Sequence, residues 1–280
     1  MKLGFIDLYI DEWHANTYPS LIEEYNKEHG TSHSVAYAFA KTEPEGHLTT
    51  AEWCEKYGAE KCDTIEEICE KADHVLILAP SDPDAHLELA ENVFATKTSP
   101  YIDKTFAPDY KTAKRIFELA KEYGVKFFSS SALRYADEIA EYHGDAMSAF
   151  TTGGGSNLEE YLIHQVEMLV NCLGTGATEI VYKALEDGGR AEIFYPDKRQ
   201  AGLIFAPSLP FTAIVTDKNG RTSYRPANSK YFYNLISDIL RFFETGETSF
   251  DPTETLEVMK IRDAVIKGKA NPDERIAIEF

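Results

Sequence analysis

The sequence is short of several things, and each shortage excludes a class of protein. Its four cysteines, Cys54, Cys62, Cys69 and Cys172, form no C-x-x-C and no zinc spacing. Neither a disulfide framework nor a cysteine-built metal centre is expected, and the thiols read as free or buried. No apolar run approaches the roughly 18 residues of a spanning helix. The N-terminus, Met1-Lys2-Leu3-Gly4-Phe5-Ile6-Asp7, turns acidic too soon for a signal peptide, so a cytoplasmic protein is expected. Basic residues are scarce: 28 Lys and Arg stand against 47 Asp and Glu, a formal charge of −19 spread along the chain. That balance argues against nucleic acid and against an anionic membrane surface as partners. Internal repeats and low-complexity tracts are also lacking.

What is present is an ordinary globular composition, 43% hydrophobic and 27% charged over 280 residues. At about 150 residues per domain this suggests two domains, or one large one. The first half alternates short apolar runs with segments of helical period, the rhythm of βαβ units on a parallel sheet. Strands are expected at Leu3 to Ile10, Val35 to Ala40, His74 to Ala79, Pro100 to Ile102 and Val125 to Phe128. Helices are expected at Tyr18 to Glu28, Thr50 to Tyr57, Thr64 to Lys71, Asp84 to Phe94 and from Asp109 to Tyr123. After Ser129-Ser130-Ser131 the pattern changes: one helix near Asn157 to Leu173, β-rich sequence from Thr178 to Tyr224, then helices near Tyr231 to Glu244 and Pro252 to Ile266. The expected fold is α/β. It comprises a Rossmann-like, doubly wound parallel sheet over residues 1–128 and an α+β domain with an antiparallel sheet over 129–280.

Three pieces then stand in a telling order. Leu78-Ala79-Pro80 closes a strand and is followed by His86. Asp103-Lys104-Thr105 follows the next short strand. Gly153-Gly154-Gly155 precedes a helix carrying Glu160-x-x-x-His164. Together these resemble the Gfo/Idh/MocA family of sugar and cyclitol oxidoreductases, over residues 1 to about 175 and weakly again in the last two helices. The Asp-Lys-Thr sits where that family has E-K-P. The resemblance implies hydride transfer between NAD or NADP and a carbon of a sugar or polyol in a cleft between two domains. It also implies a small-molecule substrate, and the broad second sheet suggests a homo-oligomer.

The departures from the family are equally specific. Its first turn is glycine-rich, so that the backbone approaches a pyrophosphate at a helix N-terminus. Here that stretch reads Asp7-Leu8-Tyr9-Ile10-Asp11-Glu12, without glycine. Asp7 brings negative charge and Tyr9 bulk. The second strand ends without the usual ribose-binding acid, and Lys41 just beyond it is a candidate for a 2′-phosphate. The resemblance assigns Asp7, Tyr9, Lys41, Pro80, His86 and Asp103 to the cofactor.

For chemistry, Lys104 is expected at the carboxyl end of a parallel strand, where open α/β sheets bind ligands. The resemblance gives it the proton of a substrate hydroxyl. His164 lies on a helix where Glu160, His164, Glu167 and Asn171 form one narrow stripe at about 100° per residue. The apolar arc opposite is wider than a surface helix needs, so the stripe reads as lining a cleft. His164 is then a general acid/base, with Glu160 one turn away to orient it. Asp11, Glu12, Trp13 and His14 read as a polar loop facing substrate rather than a metal site, because adjacent residues rarely converge on one ion. Arg134 falls where the family places an arginine and is a second substrate contact. Gly153 to Gly155 read as a turn. Two alternatives keep the fold: a cofactor-free binding or regulatory protein, and a sugar lyase or hydrolase using transient oxidation.

Overall fold

The structure is a computed structural model and describes residues 1–278. The chain divides into two compact units, 1–130 with 235–252, and 131–234 with 253–280. A single cut at 128/129 would give residues 235–252 to the second unit; their apolar side chains place them in the first.

The first unit opens with β1 (Lys2–Asp7), whose Leu3, Phe5 and Ile6 are fully buried. It continues through α1 (Trp13–His29), β2 (Ser34–Ala40), α2 (Thr50–Tyr57), β3 (Glu60–Lys61), α3 (Ile65–Lys71), β4 (His74–Ile77), α4 (His86–Ala95), β5 (Tyr101–Ile102) and α5 (Tyr110–Tyr123). The strands run parallel in the order β3-β2-β1-β4-β5. Chain direction across the sheet therefore reverses beside β1, the place where such sheets take ligands. Helix ends follow local rules. Thr49 and Glu52 form a capping box, Asp109 caps α5, and Gly30, Gly58 and Gly124 end helices in the left-handed region.

Several elements differ from expectation: β1 ends at Asp7 rather than Ile10, and the short β3 adds a strand at the sheet edge. α1 begins at Trp13, earlier than Tyr18, because Glu12 supplies the cap; Pro19 sits inside the helix. Val125 to Phe128 does not form a strand: only Phe128 bridges to Tyr101, and its ring packs against Phe242 and Phe250 instead.

The second unit contains α6 (Asp137–Ala140), β6 (Ala146–Gly153), α7 (Leu158–Leu173), β7 (Glu179–Leu185), β8 (Gly188–Phe194), β9 (Gln200–Phe205), β10 (Thr212–Asp217), β11 (Thr222–Pro226), α9 (Glu254–Ala270) and β12 (Arg275–Ala277). Before α9 comes α8 (Tyr231–Thr245), which passes to the first unit at Leu235. The sheet has the order β11-β10-β6-β9-β8-β7-β12. It is mixed rather than antiparallel throughout, because β6 and β9 pair in parallel. One face packs on α7 and α9. The other shows Phe150, Ile204, Ile214 and Tyr224, all exposed. Gly154 and Gly155 make the turn into α7. A Cβ on Gly154 would stand 2.3 Å from the Ala206 carbonyl, and Gly155 has φ +155° with the Tyr161 ring against it. Among the described residues no helix is long and apolar enough to cross a membrane.

Candidate functional site

The carboxyl ends of β1, β4 and β5 lie side by side, with Ile6 paired to Ile77 and Ile77 to Ile102. The residues at these ends therefore meet at one edge: Asp7 as the last residue of β1, Ala79 and Pro80 after β4, Asp103 and Lys104 after β5. The Ala79 amide donates to Asp7 Oδ1 at 3.0 Å, and that of Leu8 does so at 2.7 Å. Asp7 is buried, and its Oδ2 has no hydrogen-bond partner. Burial, reinforced by the nearby Glu12 carboxylate, raises its pKa well above the usual carboxylate range. Lys104 is half-buried, and its Nζ donates to the Pro80 carbonyl at 3.3 Å.

Asp103 is completely buried and fully engaged within the first unit. Its Oδ2 receives His14 Nδ1 and the Tyr18 hydroxyl, while Oδ1 receives the Tyr101 hydroxyl at 3.1 Å and the Lys104 amide at 2.8 Å. Burial alone would raise its pKa. The His14 ring and its hydrogen bond, with the Lys104 charge, instead hold it below the usual range. His14 is likewise buried and stacks on Tyr18, with ring centroids 5.1 Å apart. It lies inside the first turn of α1 rather than on a substrate-facing loop, because a helical start at Trp13 turns it inward.

The N-terminus of α1 carries its own anion. Glu12 Oε2 accepts from the His14 amide at 3.0 Å, and Oε1 accepts from the Ala15 amide at 2.8 Å. Burial raises the Glu12 pKa, against the lowering pull of His14 and the two amides. Asp11 holds a neighbouring loop, accepting from Asn16 Nδ2 and the Leu48 amide, both at 2.9 Å. The half-buried Tyr9 packs on His47. Burial first, then Asp82, Glu12, Asp7 and Asp11, raise its phenol pKa, a sign of how acidic this edge is.

At the end of β2, Lys41 pairs with Glu88 at 2.5 Å, beside a cavity of about 250 Å³ lined by Phe39, Asp63, Thr64 and Asn92 among others. His86 is buried, with both ring nitrogens against carbonyls, those of Phe106 and Leu78; burial lowers its pKa. It clamps the end of β4 to the chain after β5.

In the second unit α7 carries the polar stripe, whose two halves differ. Glu167 and Asn171 are buried. Glu167 pairs with Arg134 at 2.8 Å, and Asn171 donates to the Ile139 carbonyl. Arg134 also pairs with Glu254 at 2.7 Å and is itself 3% exposed. The stripe thus pins α6 and the segment before it, and Arg134 belongs to an ion-pair triad in which it and Glu167 are buried. His164 and Glu160 remain half-buried. The hydrogen-bond partner of His164 Nδ1 is Ser131 Oγ at 2.6 Å, whereas Glu160 accepts from Asn157 Nδ2 at 3.2 Å. Among the described residues, no group of three or more His, Cys, Asp or Glu side chains is arranged to hold a metal ion.

Sequence reasoning missed four residues that shape these sites: Glu12 as cap, Tyr18 and Tyr101 on Asp103, and Ser131 on His164. Tyr18 follows His14 by one helical turn, a spacing that would have revealed it had α1 been started at Trp13. Tyr101 precedes Asp103 by two residues, the same-face spacing of an extended segment, a signal that was equally available; Ser131 carries none, because His164 is distant in the chain.

No family model matches the sequence, and no curated relative does. Solved structures match over essentially the whole chain and define the class of fold. Myo-inositol dehydrogenase from Lactobacillus casei, in complex with NAD(H) and myo-inositol, is 11% identical with a TM-score of 0.82, covering 100% of this chain and 97% of that one. Scyllo-inositol dehydrogenase from the same organism, with NAD(H) and scyllo-inositol, is 12% identical with a TM-score of 0.74, covering 99% of each chain. An oxidoreductase from Agrobacterium radiobacter, in complex with NAD+, L-tartaric acid and magnesium, is 14% identical with a TM-score of 0.74, covering 99% of this chain and 98% of that one. This chain shares the fold of NAD-dependent inositol dehydrogenases and related oxidoreductases.

Proposed function

We propose that the protein is an oxidoreductase of the Gfo/Idh/MocA type that transfers hydride between a nicotinamide cofactor and a carbon of a small sugar or polyol. The carrying observation is Lys104, set at the carboxyl end of β5 beside the strand-order reversal, in a fold matched end to end by inositol dehydrogenases. In this reading Lys104 Nζ takes the proton that a substrate hydroxyl loses as its carbon is oxidised. His164 is the second proton-transfer group; Ser131 Oγ engages Nδ1 and fixes the ring, and the proton passes through Nε2. Glu160 accepts from Asn157 Nδ2 and Ser156 Oγ at the start of α7, which Asn157 caps. Two copies associate through the apolar face of the second sheet.

The cofactor's pyrophosphate does not fit the first unit in the usual manner. Leu8, Tyr9 and Ile10 stand where glycines are needed, and the α1 amides are held by Glu12. That arrangement favours a second reading, a cofactor-free binding protein on the same fold. A panel of inositols and hexoses, assayed with NAD+ and NADP+ for absorbance at the reduced-nicotinamide band, separates the two. Turnover that disappears in Lys104→Met supports the oxidoreductase; ligand-induced thermal stabilisation by a polyol, with no turnover and no dinucleotide binding, supports the second.

A further inference from the structure

We propose that Glu12 is a built-in competitor for the pyrophosphate of a dinucleotide: its carboxylate occupies the anion seat at the N-terminus of α1. The inference rests on reading the first unit as a dinucleotide-binding unit, and it concerns what this chain has done to that unit.

The backbone N–H groups at the start of a helix are unsatisfied within the helix and carry partial positive charge, so they attract an anion. At a βα turn beside the strand-order reversal, that anion is ordinarily the ligand's phosphate. In this chain the seat is filled from within. Both Glu12 oxygens are used, one on the His14 amide and one on the Ala15 amide. The Glu12 amide donates to the Ile10 carbonyl at 2.9 Å, which holds the backbone of the turn in the position from which the carboxylate reaches these amides.

Three further features act in the same direction. Asp7 is buried at the end of β1 with Oδ2 unpartnered, and it feels the charge of Glu12. Asp11 is committed to Asn16 and Leu48 and stays at the same turn. Tyr9 brings a ring, held against His47, where a phosphate needs bare backbone. A diphosphate entering here would meet like charge at contact distance and find its hydrogen-bond donors spent. Removing the Glu12 charge should therefore open the seat without touching the adenosine or nicotinamide ends.

The test measures binding rather than turnover. ADP-ribose, NADH and adenosine are titrated by calorimetry and fluorescence into the wild type, Glu12→Gln and Glu12→Ser. Gln removes the charge and keeps one acceptor oxygen; Ser is a short neutral cap that preserves the helix start. Thermal melting checks that each variant is folded. The expected result is ADP-ribose and NADH bound at least about 10-fold tighter by both variants than by the wild type, as loss of one like charge at contact distance requires, with adenosine unchanged. Equal affinity of wild type and variants for ADP-ribose would overturn the inference and leave the oxidoreductase reading standing. Absence of binding in all three proteins would overturn both. An equal gain for adenosine would also overturn it, since adenosine has no pyrophosphate to exclude.

Discussion

The imidazole of His14 is hydrogen-bonded to the buried carboxylate of Asp103, 89 residues further along the chain. This contact ties the first turn of α1, which follows Asp7, to the end of β5, which precedes Lys104. Tyr18 and Tyr101 complete the carboxylate's shell.

Asp103→Ala is expected to destabilise the protein by about 3–5 kcal/mol, the usual cost of removing one member of a buried, hydrogen-bonded charge cluster. Tyr101→Phe should cost about 1 kcal/mol, since it deletes one donor and leaves the charge partnered. Denaturant unfolding of both variants checks this. Equal, small losses would mean that Asp103 does not organise the site.

Asp7 gives a pH dependence of definite sign. Its pKa is raised in the folded protein by burial, so between the unfolded and folded values the native state keeps a proton that the unfolded chain has lost. Stability falls as pH rises through that window, and the penalty is absent below the unfolded pKa. Asn in its place keeps an oxygen for the Leu8 and Ala79 amides and never ionises. Asp7→Asn should therefore melt higher than wild type at pH 8, by at least about 2 °C for each kcal/mol recovered. The gap should close towards pH 4. A gap that widens on acidification contradicts a raised pKa.

Lys104→Met and His164→Asn should each lower turnover by about 10²–10⁴, the ordinary contribution of a positioned acid or base. Their double variant should lose less than the product of the two, because groups serving one reaction are not additive. Ser131→Ala should shift the pH profile of turnover while leaving His164 in place. A single variant with normal turnover and an intact melt removes that residue from the chemistry.

The apolar face of the second sheet predicts self-association. Phe150 pairs across the strands with Ile214 and Gly202, and Ile214 with Tyr224, so the exposed side chains form one continuous row. Such a patch marks a protein interface, and a two-fold pair of identical faces closes without leaving a free edge. Ile204→Lys with Ile214→Lys should reduce the mass seen by sedimentation to that of one chain, with the melting curve of each fold retained. Unchanged mass would place the interface elsewhere.

Local signals along the chain were enough to read the class of fold. Apolar periodicity marked the parallel strands and their helices, Asp109 and the terminal glycines marked helix ends, and the order of Pro80, Lys104 and His164 pointed to an oxidoreductase fold. These signals are local, set by periodicity and capping within a few residues. The roles of the polar residues became legible in three dimensions. Whether Asp103 meets a ligand or three buried donors, whether Arg134 touches substrate or two glutamates, and whether the α1 amides are open or filled all depend on partners far along the chain or on where a helix starts. A carboxylate's partner is set by packing in three dimensions, and a one-dimensional pattern does not encode the contact.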